Sequence, residues 1–389
     1  MQLIGLNWLV IARTGSPTAL GLTVLLHTLP KLLLGAWGGV LADKLPARPL
    51  IACSQTLHAL LAVALALVAW QQSPISLVYG LSALSGTLAT LSGPAVDRFA
   101  SQVVPRDDLG NALALGSTVD ASGRIAGMSL AGILIAATST TAVFMLNAVS
   151  FLVVIVTVFA MRGSEMFPIA SSSRGSAGVR AGLRYLAGKP TLLLMLALAF
   201  VLSSFGRNYQ VTMAAMAHGP LGGGAAAYGV LSTVFACGGL LGGLLAAHRR
   251  DLTRRLLLGT ALATSVLQVF SGFMPGMVAF STVLLPISAG AVVIDTTMST
   301  RVQLDTADHM RGRAIAAKSM VTGAAGALGG PLLGWLCETI GVRGTLELSG
   351  LLTVAATALA AAALAHVARR SPETEREPVT VTEPEPITA

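Results

Sequence analysis

Charge is scarce in this chain: Asp, Glu, Lys and Arg make up 11% of 389 residues, against 54% hydrophobic residues, with a mean hydropathy of +0.76. So little charge cannot cover a water-soluble fold of this length, which excludes the soluble enzyme classes and leaves the lipid bilayer as solvent. Cysteine is scarcer still. Cys53, Cys237 and Cys337 stand in separate apolar segments without C-x-x-C spacing, which excludes a disulfide framework and a zinc site and leaves small packing residues. Aromatics are 5%, and strand-like segments of about ten alternating residues are missing, which excludes a transmembrane barrel. No phosphate-binding glycine loop followed by Lys-Ser/Thr occurs, so ATP-driven transport by this chain alone is disfavoured and no cofactor is expected. No separate signal peptide stands out.

What the sequence has is long apolar runs. A hydrocarbon core of about 30 Å takes about 20 helical residues to cross. Runs between polar breaks fall at 1–12, 18–42, 50–70, 75–96, 110–136, 142–161, 190–216, 225–247, 255–273, 277–300, 314–337 and 345–367. The expectation is an all-α membrane protein of twelve spans, the first of them short at ~18 Å.

The net charge of +8 is no nucleic-acid signature, because the basic residues are divided among short gaps between runs. Alternate gaps and the tail hold nineteen of the 25 Lys and Arg residues, including Lys44, Arg48, Arg98, Arg106, Arg249, Arg254, Arg301, Arg311 and Arg369; the opposite gaps hold Arg13 and Arg343 only. This asymmetry assigns the first group to the cytoplasm, with both termini there if the first span is complete.

The halves repeat. A shift of 208 lays residues 20–50 over 228–258, pairing Gly21 with Gly229 and Gly35 with Gly243; a shift of 202 lays 111–132 over 313–334, pairing Gly127 with Gly329 and Gly132 with Gly334. The expected organisation is a six-helix bundle at 1–161, a cytoplasmic linker with an amphipathic surface helix at 162–189, a second bundle at 190–368, and a disordered Pro/Glu/Thr-rich tail at 369–389. Parallel repeats of this kind place a transporter's binding site between the halves near the midplane. Against its counterpart in the repeat, the first span lacks roughly half a crossing, so a truncated or misassigned start is expected.

The stretch "GGVLADKLPARP" (38–49) resembles the loop signature of the major facilitator superfamily, G-x-L-A-D-R/K-x-G-R-R/K, at Gly39, Leu41, Ala42, Asp43, Lys44 and Arg48; Pro46 replaces a glycine and Ala47 a basic residue. "NWLVIARTGSPTALG", "VVPRDDLGNALAL", "FMLNAVSFL" and "AGLRYLAGKP" are similar to the macrolide-efflux and siderophore-exporter branch, over nearly the whole chain. That branch carries a longer first span with an acidic residue just upstream. The resemblance implies the major facilitator fold, two six-helix pseudo-repeats acting as a monomer, and export of drug-, antibiotic- or siderophore-like molecules from a bacterial cytoplasm by alternating access with proton antiport. A metabolite importer or facilitator is the alternative, and a membrane-embedded lipid enzyme the contrasting class. Gly123, Gly127 and Gly132 resemble the antiporter motif G-x-x-x-G-P-x-x-G-G, with Met128 at the proline and Ala131 at a glycine; Gly330 and Pro331 keep the pair in the other half. Close helix contact or an antiport-specific kink are both open readings.

Asp43, Lys44 and Arg48 are candidates for a gating loop, with topology signalling alone as the other reading. Six ionisable residues fall within spans: Lys31, Asp120, Arg124, Arg207, Asp295 and Lys318. A charge at a helix centre costs on the order of 2.5–3.5 kcal/mol by insertion scales, so function is the starting hypothesis. Asp120 is ~15 Å in from Gly110, near the midplane, with Arg124 one turn further on the same face. Asp120 is therefore the candidate proton carrier, or else one member of a structural ion pair with Arg124 or Lys31. Asp295 and Lys318 lie nearer the basic gaps, where snorkelling to the surface is expected. Arg207, Asn208 and Gln210, in "RNYQ", are substrate candidates placed towards the outer exit. Four basic groups against two acidic ones favour an anionic or polar substrate.

Overall fold

The computed structural model describes residues 1–370 except Ser101, Arg106, Asp107, 162–183, 185–187, Arg207, Arg250, Asp308 and His309. The proposed linker helix and the Pro/Glu/Thr-rich tail lie outside the described residues, as do the side chains of Asp43 and Asp120. Thirteen long helices are described: α1 (Gln2–Thr14), α2 (Pro17–Lys44), α3 (Ala47–Trp70), α4 (Ile75–Ala100), α5 (Leu109–Ala137), α6 (Thr140–Ala160), α7 (Pro190–Phe205), α8 (Tyr209–His218), α9 (Gly224–His248), α10 (Arg254–Gly272), α11 (Met277–Leu304), α12 (Arg311–Thr339) and α13 (Gly341–Arg370). Among the described residues, ten segments are long and apolar enough to cross a membrane, one of them formed by α7 and α8 together. Their outer faces expose Leu60, Val156, Phe159, Leu244 and Leu359, which suits contact with lipid chains.

Local chemistry sets the helix ends. Ser16, Ser139 and Thr253 cap α2, α6 and α10, their hydroxyls accepting from the backbone N–H of Ala19, Ala142 and Leu256. Pro17 and Pro190 stand in the first turns of α2 and α7, where a missing N–H costs nothing. Gly15 ends α1 in the left-handed region at φ 61° and donates to Ile11 O, a conformation that glycine adopts without penalty.

The seventh span is not one helix, as the run 190–216 had suggested. It breaks between α7 and α8, where Asn208 turns its side-chain amide back to donate to the carbonyls of Ser203 (3.2 Å) and Ser204 (3.1 Å). Those carbonyls would otherwise be unsatisfied at a helix end within the membrane.

α1–α6 pack among themselves, as do α7–α13; between these sets α2 packs along α12, α9 packs along α5, and α8 touches α1 and α2. Two of the glycine pairs in the internal repeat, Gly21 with Gly229 and Gly132 with Gly334, make these crossings. A Cβ built on Gly21 of α2 would fall on the backbone of Gly330 and Pro331 in α12, and one on Gly229 of α9 would fall on Gly132 of α5. Gly334 meets Pro17 and Thr18 in the same way. Only glycine permits backbones this near, so the glycines seal the two sets together at the end where α2 and α9 begin.

Candidate functional site: a polar pocket beneath the seal

Beneath the glycine contacts lies a cavity of about 170 Å³ between α1, α2, α8 and α12, lined among others by Asn7, Thr23, His27, Thr28, Asn208 and Gln210. Asn7 is buried and donates to Gln210 Oε1 (3.3 Å) and to the Tyr228 hydroxyl (3.2 Å), so one amide ties α1 to α8 and α9. The Tyr228 ring is fully buried and stacks on Trp8 with centroids 6.0 Å apart. Gln2 extends the polar belt, donating to Ser85 Oγ (3.1 Å) and accepting from Asn147 Nδ2 (3.0 Å). His27 Nδ1 is buried at the cavity without a hydrogen-bond partner among the described residues, so it is the group with hydrogen-bonding capacity to spare. A larger hollow of about 820 Å³, around Trp8, Arg13, Gln72 and Ser139, is lined by α1 and by the α3–α4 and α5–α6 ends only, and so does not lie between the sets.

The approach of Leu32 to Gly323 (3.3 Å to a built Cβ) is followed by glycines with open space around them: Cβ atoms on Gly35, Gly116, Gly123 and Gly243 would meet nothing within 4 Å. Lys31 lies one turn from His27 on the same face of α2 and is exposed. Arg124, also exposed, continues the face of α5 that carries buried Ala131 and Ile135. Neither cation has an ion-pair partner among the described residues, which do not include the side chains of Asp43 and Asp120. Lys44, Lys189, Arg249, Arg254, Arg301, Arg311 and Arg313 lie at the same end of the helices.

In the motif loop, the arginine is committed within its own set. Gly39 lies within α2, Lys44 closes that helix, and Arg48 stands in the first turn of α3. Its guanidinium donates to the carbonyls of Val158 (2.9 Å) and Phe159 (2.6 Å) and lies 5.9 Å from the Phe159 ring centroid, capping α6 of its own set. Of the glycine motif, Gly132 makes the close crossing with α9, Gly127 packs near Met1, and Gly123 packs on nothing, so close contact explains one end of that motif and not the other.

Arg207 lies outside the described residues. Asn208 and Gln210 line the central pocket and not an outer exit, because the chain breaks between α7 and α8. The snorkelling expected of Lys318 is overturned: its side chain is 8% exposed, and Nζ meets Asp295 Oδ1 at 2.9 Å and Ser299 Oγ at 2.6 Å. Sequence reading also passed over a clamp at the basic end, where Arg254 pairs with Asp305 at 2.9 Å and Arg301 donates to Leu252 O at 2.5 Å. Its one visible signal was an acidic residue four positions after Arg301.

A polar pocket between two pseudo-equivalent helix sets, closed on one side by glycines, is transporter architecture. The family described as "Transmembrane secretion effector" matches residues 1–387. The chain belongs to this family of the major facilitator superfamily. A curated relative in Bacillus subtilis (strain 168), described as the uncharacterized MFS-type transporter YfiS, is 28% identical over 192 residues, which is 48% of this chain and 45% of that protein. The chain thus matches about half the length of that relative. Solved major facilitator structures agree in fold: a variant of the nucleoside transporter NupG (TM-score 0.76, 12% identity, 93% of this chain and 98% of that one) and a D-xylose–proton symporter (TM-score 0.71, 13% identity, 92% and 91%). A bacterial homologue of the human lysosomal transporter Spinster, in an inward-facing and unoccupied conformation, superposes with TM-score 0.70 at 16% identity over 95% of this chain and 94% of that one. This major facilitator protein is therefore a multi-pass membrane transporter whose described residues hold no cluster of three metal-ligating side chains.

Proposed function

We propose that this transporter exports small organic molecules by alternating access, driven by proton antiport, in the manner of the macrolide-efflux and siderophore-exporter branch. The observation that carries the reading is the polar pocket between the sets beneath the glycine contacts, with basic residues gathered at the opposite ends of the helices. If the Lys and Arg asymmetry places that end in the cytoplasm, this conformation is open inward and ready to load. Release then requires the α2–α12 and α5–α9 contacts to part while the basic end closes, a rocking of residues 1–161 against 190–368. The uncharged donors and acceptors of Asn7, His27 and Gln210, with Lys31 and Arg124 exposed on the approach, favour a polar or anionic molecule over a cationic drug. The protein works as a monomer, with the proton as coupling ion.

The test is flux in inside-out vesicles with the interior made acid, using a panel of anionic siderophores, neutral macrolides and cationic dyes. The expected result is accumulation of an anionic or neutral member that collapses with a protonophore. Accumulation insensitive to the protonophore removes proton antiport, and movement only in the opposite sense makes the protein an importer. An Asp120→Asn arm asks whether that midspan carboxylate carries the proton.

A further inference from the structure

The hollow at the sealed end of the first helix set takes no part in the transport reading, yet its walls carry hydrogen-bond donors without acceptors. Its volume of about 820 Å³ lies within the ~300–1,000 Å³ of small-molecule sites. The rim is made of helix ends: Arg13 in the last turn of α1, Gln72 in the turn between α3 and α4, Ser139 capping α6 and Thr140 opening it. Trp8, six residues before the end of α1 and so ~9 Å deeper, forms an apolar wall with Ile135.

Arg13 fixes the rim. Its Nη1 donates to Ser73 O (3.0 Å) and its Nη2 to Val68 O (2.9 Å) and Ala69 O (2.8 Å), so the end of α3 and the following turn close around the guanidinium. Within that turn Gln72 is held at φ 53°, the only non-glycine residue of positive φ among those described. Such a backbone persists where surrounding bonds hold it, and it recurs at ligand sites.

The polar groups are one-sided. Arg13 keeps its Nε–H and one Nη1–H free of acceptors among the described residues. Ser139 accepts from the Ala142 N–H, so its own hydroxyl proton is still to be placed. Trp8 is 9% exposed, and its indole N–H donates to no described residue. Its ring is held by stacking on Tyr228 at 6.0 Å and by the edge-on contact with His218 at 6.1 Å. No Asp or Glu lines the hollow. A cation with spare donors, a helix N-terminus and no carboxylate select negative charge, and the indole selects an apolar body beside it.

We propose that this hollow binds a small organic anion, its acidic group at the Arg13 and Ser139 rim and its apolar part against Trp8. It is a second site, sharing no lining residue with the central pocket. Binding here goes beyond the export reading and needs neither its direction nor its coupling ion.

The experiment uses the full chain in phosphatidylcholine nanodiscs, with the exposed Trp37, Trp70 and Trp335 replaced by phenylalanine so that Trp8 alone emits. Three probes share one ring and differ in charge: p-toluenesulfonate, benzyl alcohol and benzyltrimethylammonium. Expected is a saturable shift of Trp8 emission with the sulfonate, half-complete at a concentration at least about tenfold lower than for the cation. Ser139→Asp keeps a capping side chain and adds a negative charge, and Ser139→Asn keeps the cap without the charge. Sulfonate binding is expected to weaken at least about tenfold in Ser139→Asp and to stay within about twofold in Ser139→Asn. At physiological ionic strength a charge acts over ~8 Å, which makes the effect local to the hollow. Equal saturation by all three probes, no saturable shift, or a Ser139→Asp variant that binds like the native chain overturns the proposal. Should either variant fail to fold, Thr140→Glu against Thr140→Gln makes the same comparison in the first turn of α6, and equal sulfonate binding by those two also overturns it.

Discussion

At the scale of single residues, the polar side chains in this membrane protein are there because a partner meets them, and removal of one partner is the costly change. Asn7 shows this most plainly: it is 1% exposed and donates both to Gln210 and to the Tyr228 hydroxyl. Asn7→Leu leaves the buried Tyr228 hydroxyl and the half-buried Gln210 amide short of a donor, and a loss of about 1–3 kcal/mol is expected, read as a lower unfolding midpoint in detergent. Removing both sides together, Asn7→Leu with Tyr228→Phe, recovers part of that loss, because the phenol no longer needs a partner. The two basic residues of the sealed end follow the same logic. Arg13 donates to the carbonyls of Val68, Ala69 and Ser73, and Arg343 to that of Gly272, so each satisfies a helix C-terminus and its charge meets the negative end of a helix dipole. Sequence counting registers these two as exceptions to the charge bias and gives no sign of what they hold.

At the scale of helices, glycine acts through distance. Gly21, Gly132, Gly229 and Gly334 allow backbone contact across the sets, and any side chain there has to force two helices apart. Gly132→Leu is expected to separate α5 from α9, so that spin labels placed across the sealed end move apart by several Å. Gly35→Ala is the control in the same class: its Cβ meets open space, and trading a helical glycine for alanine adds up to about 1 kcal/mol of stability. A finding that both variants behave alike would remove the distinction between sealing and free glycines. The internal repeat had paired Gly21 with Gly229 and Gly132 with Gly334, equating residues by their place in each half. It could not say that equivalent residues meet the opposite half, since a repeat describes resemblance and a crossing is a contact.

For the whole molecule, the question is what holds one end shut. Besides the glycines, the Glu338 carboxylate of α12 accepts from the Ser16 hydroxyl and from the backbone N–H of Thr18 (3.2 Å) at the beginning of α2. A negative charge at a helix N-terminus contributes about 0.3–1 kcal/mol. Glu338→Ala is therefore expected to shift the balance towards opening of the sealed end by up to about fivefold. The measurement is the labelling rate of a cysteine at Thr18 by a soluble thiol reagent, with an unchanged rate counting against the latch. Because the glycine contacts remain, this variant loosens the seal without abolishing it.

The sequence by itself determined that the chain lives in a membrane, where its spans begin and end to within a few residues, and that its halves are copies. These are properties of composition and period along the chain, and lipid enforces them on each segment separately. Tertiary structure alone decided which charges meet. Lys318 and Asp295 are 23 positions apart on different helices, and neither hydropathy nor spacing specifies that Nζ and Oδ1 come within 2.9 Å. It likewise decided that Asn208 breaks the seventh span, since the apolar count over 190–216 does not register where a side-chain amide can replace a turn of helix. Burial and partnership depend on how helices cross, and crossing is set by small residues whose neighbours come from the other half of the chain.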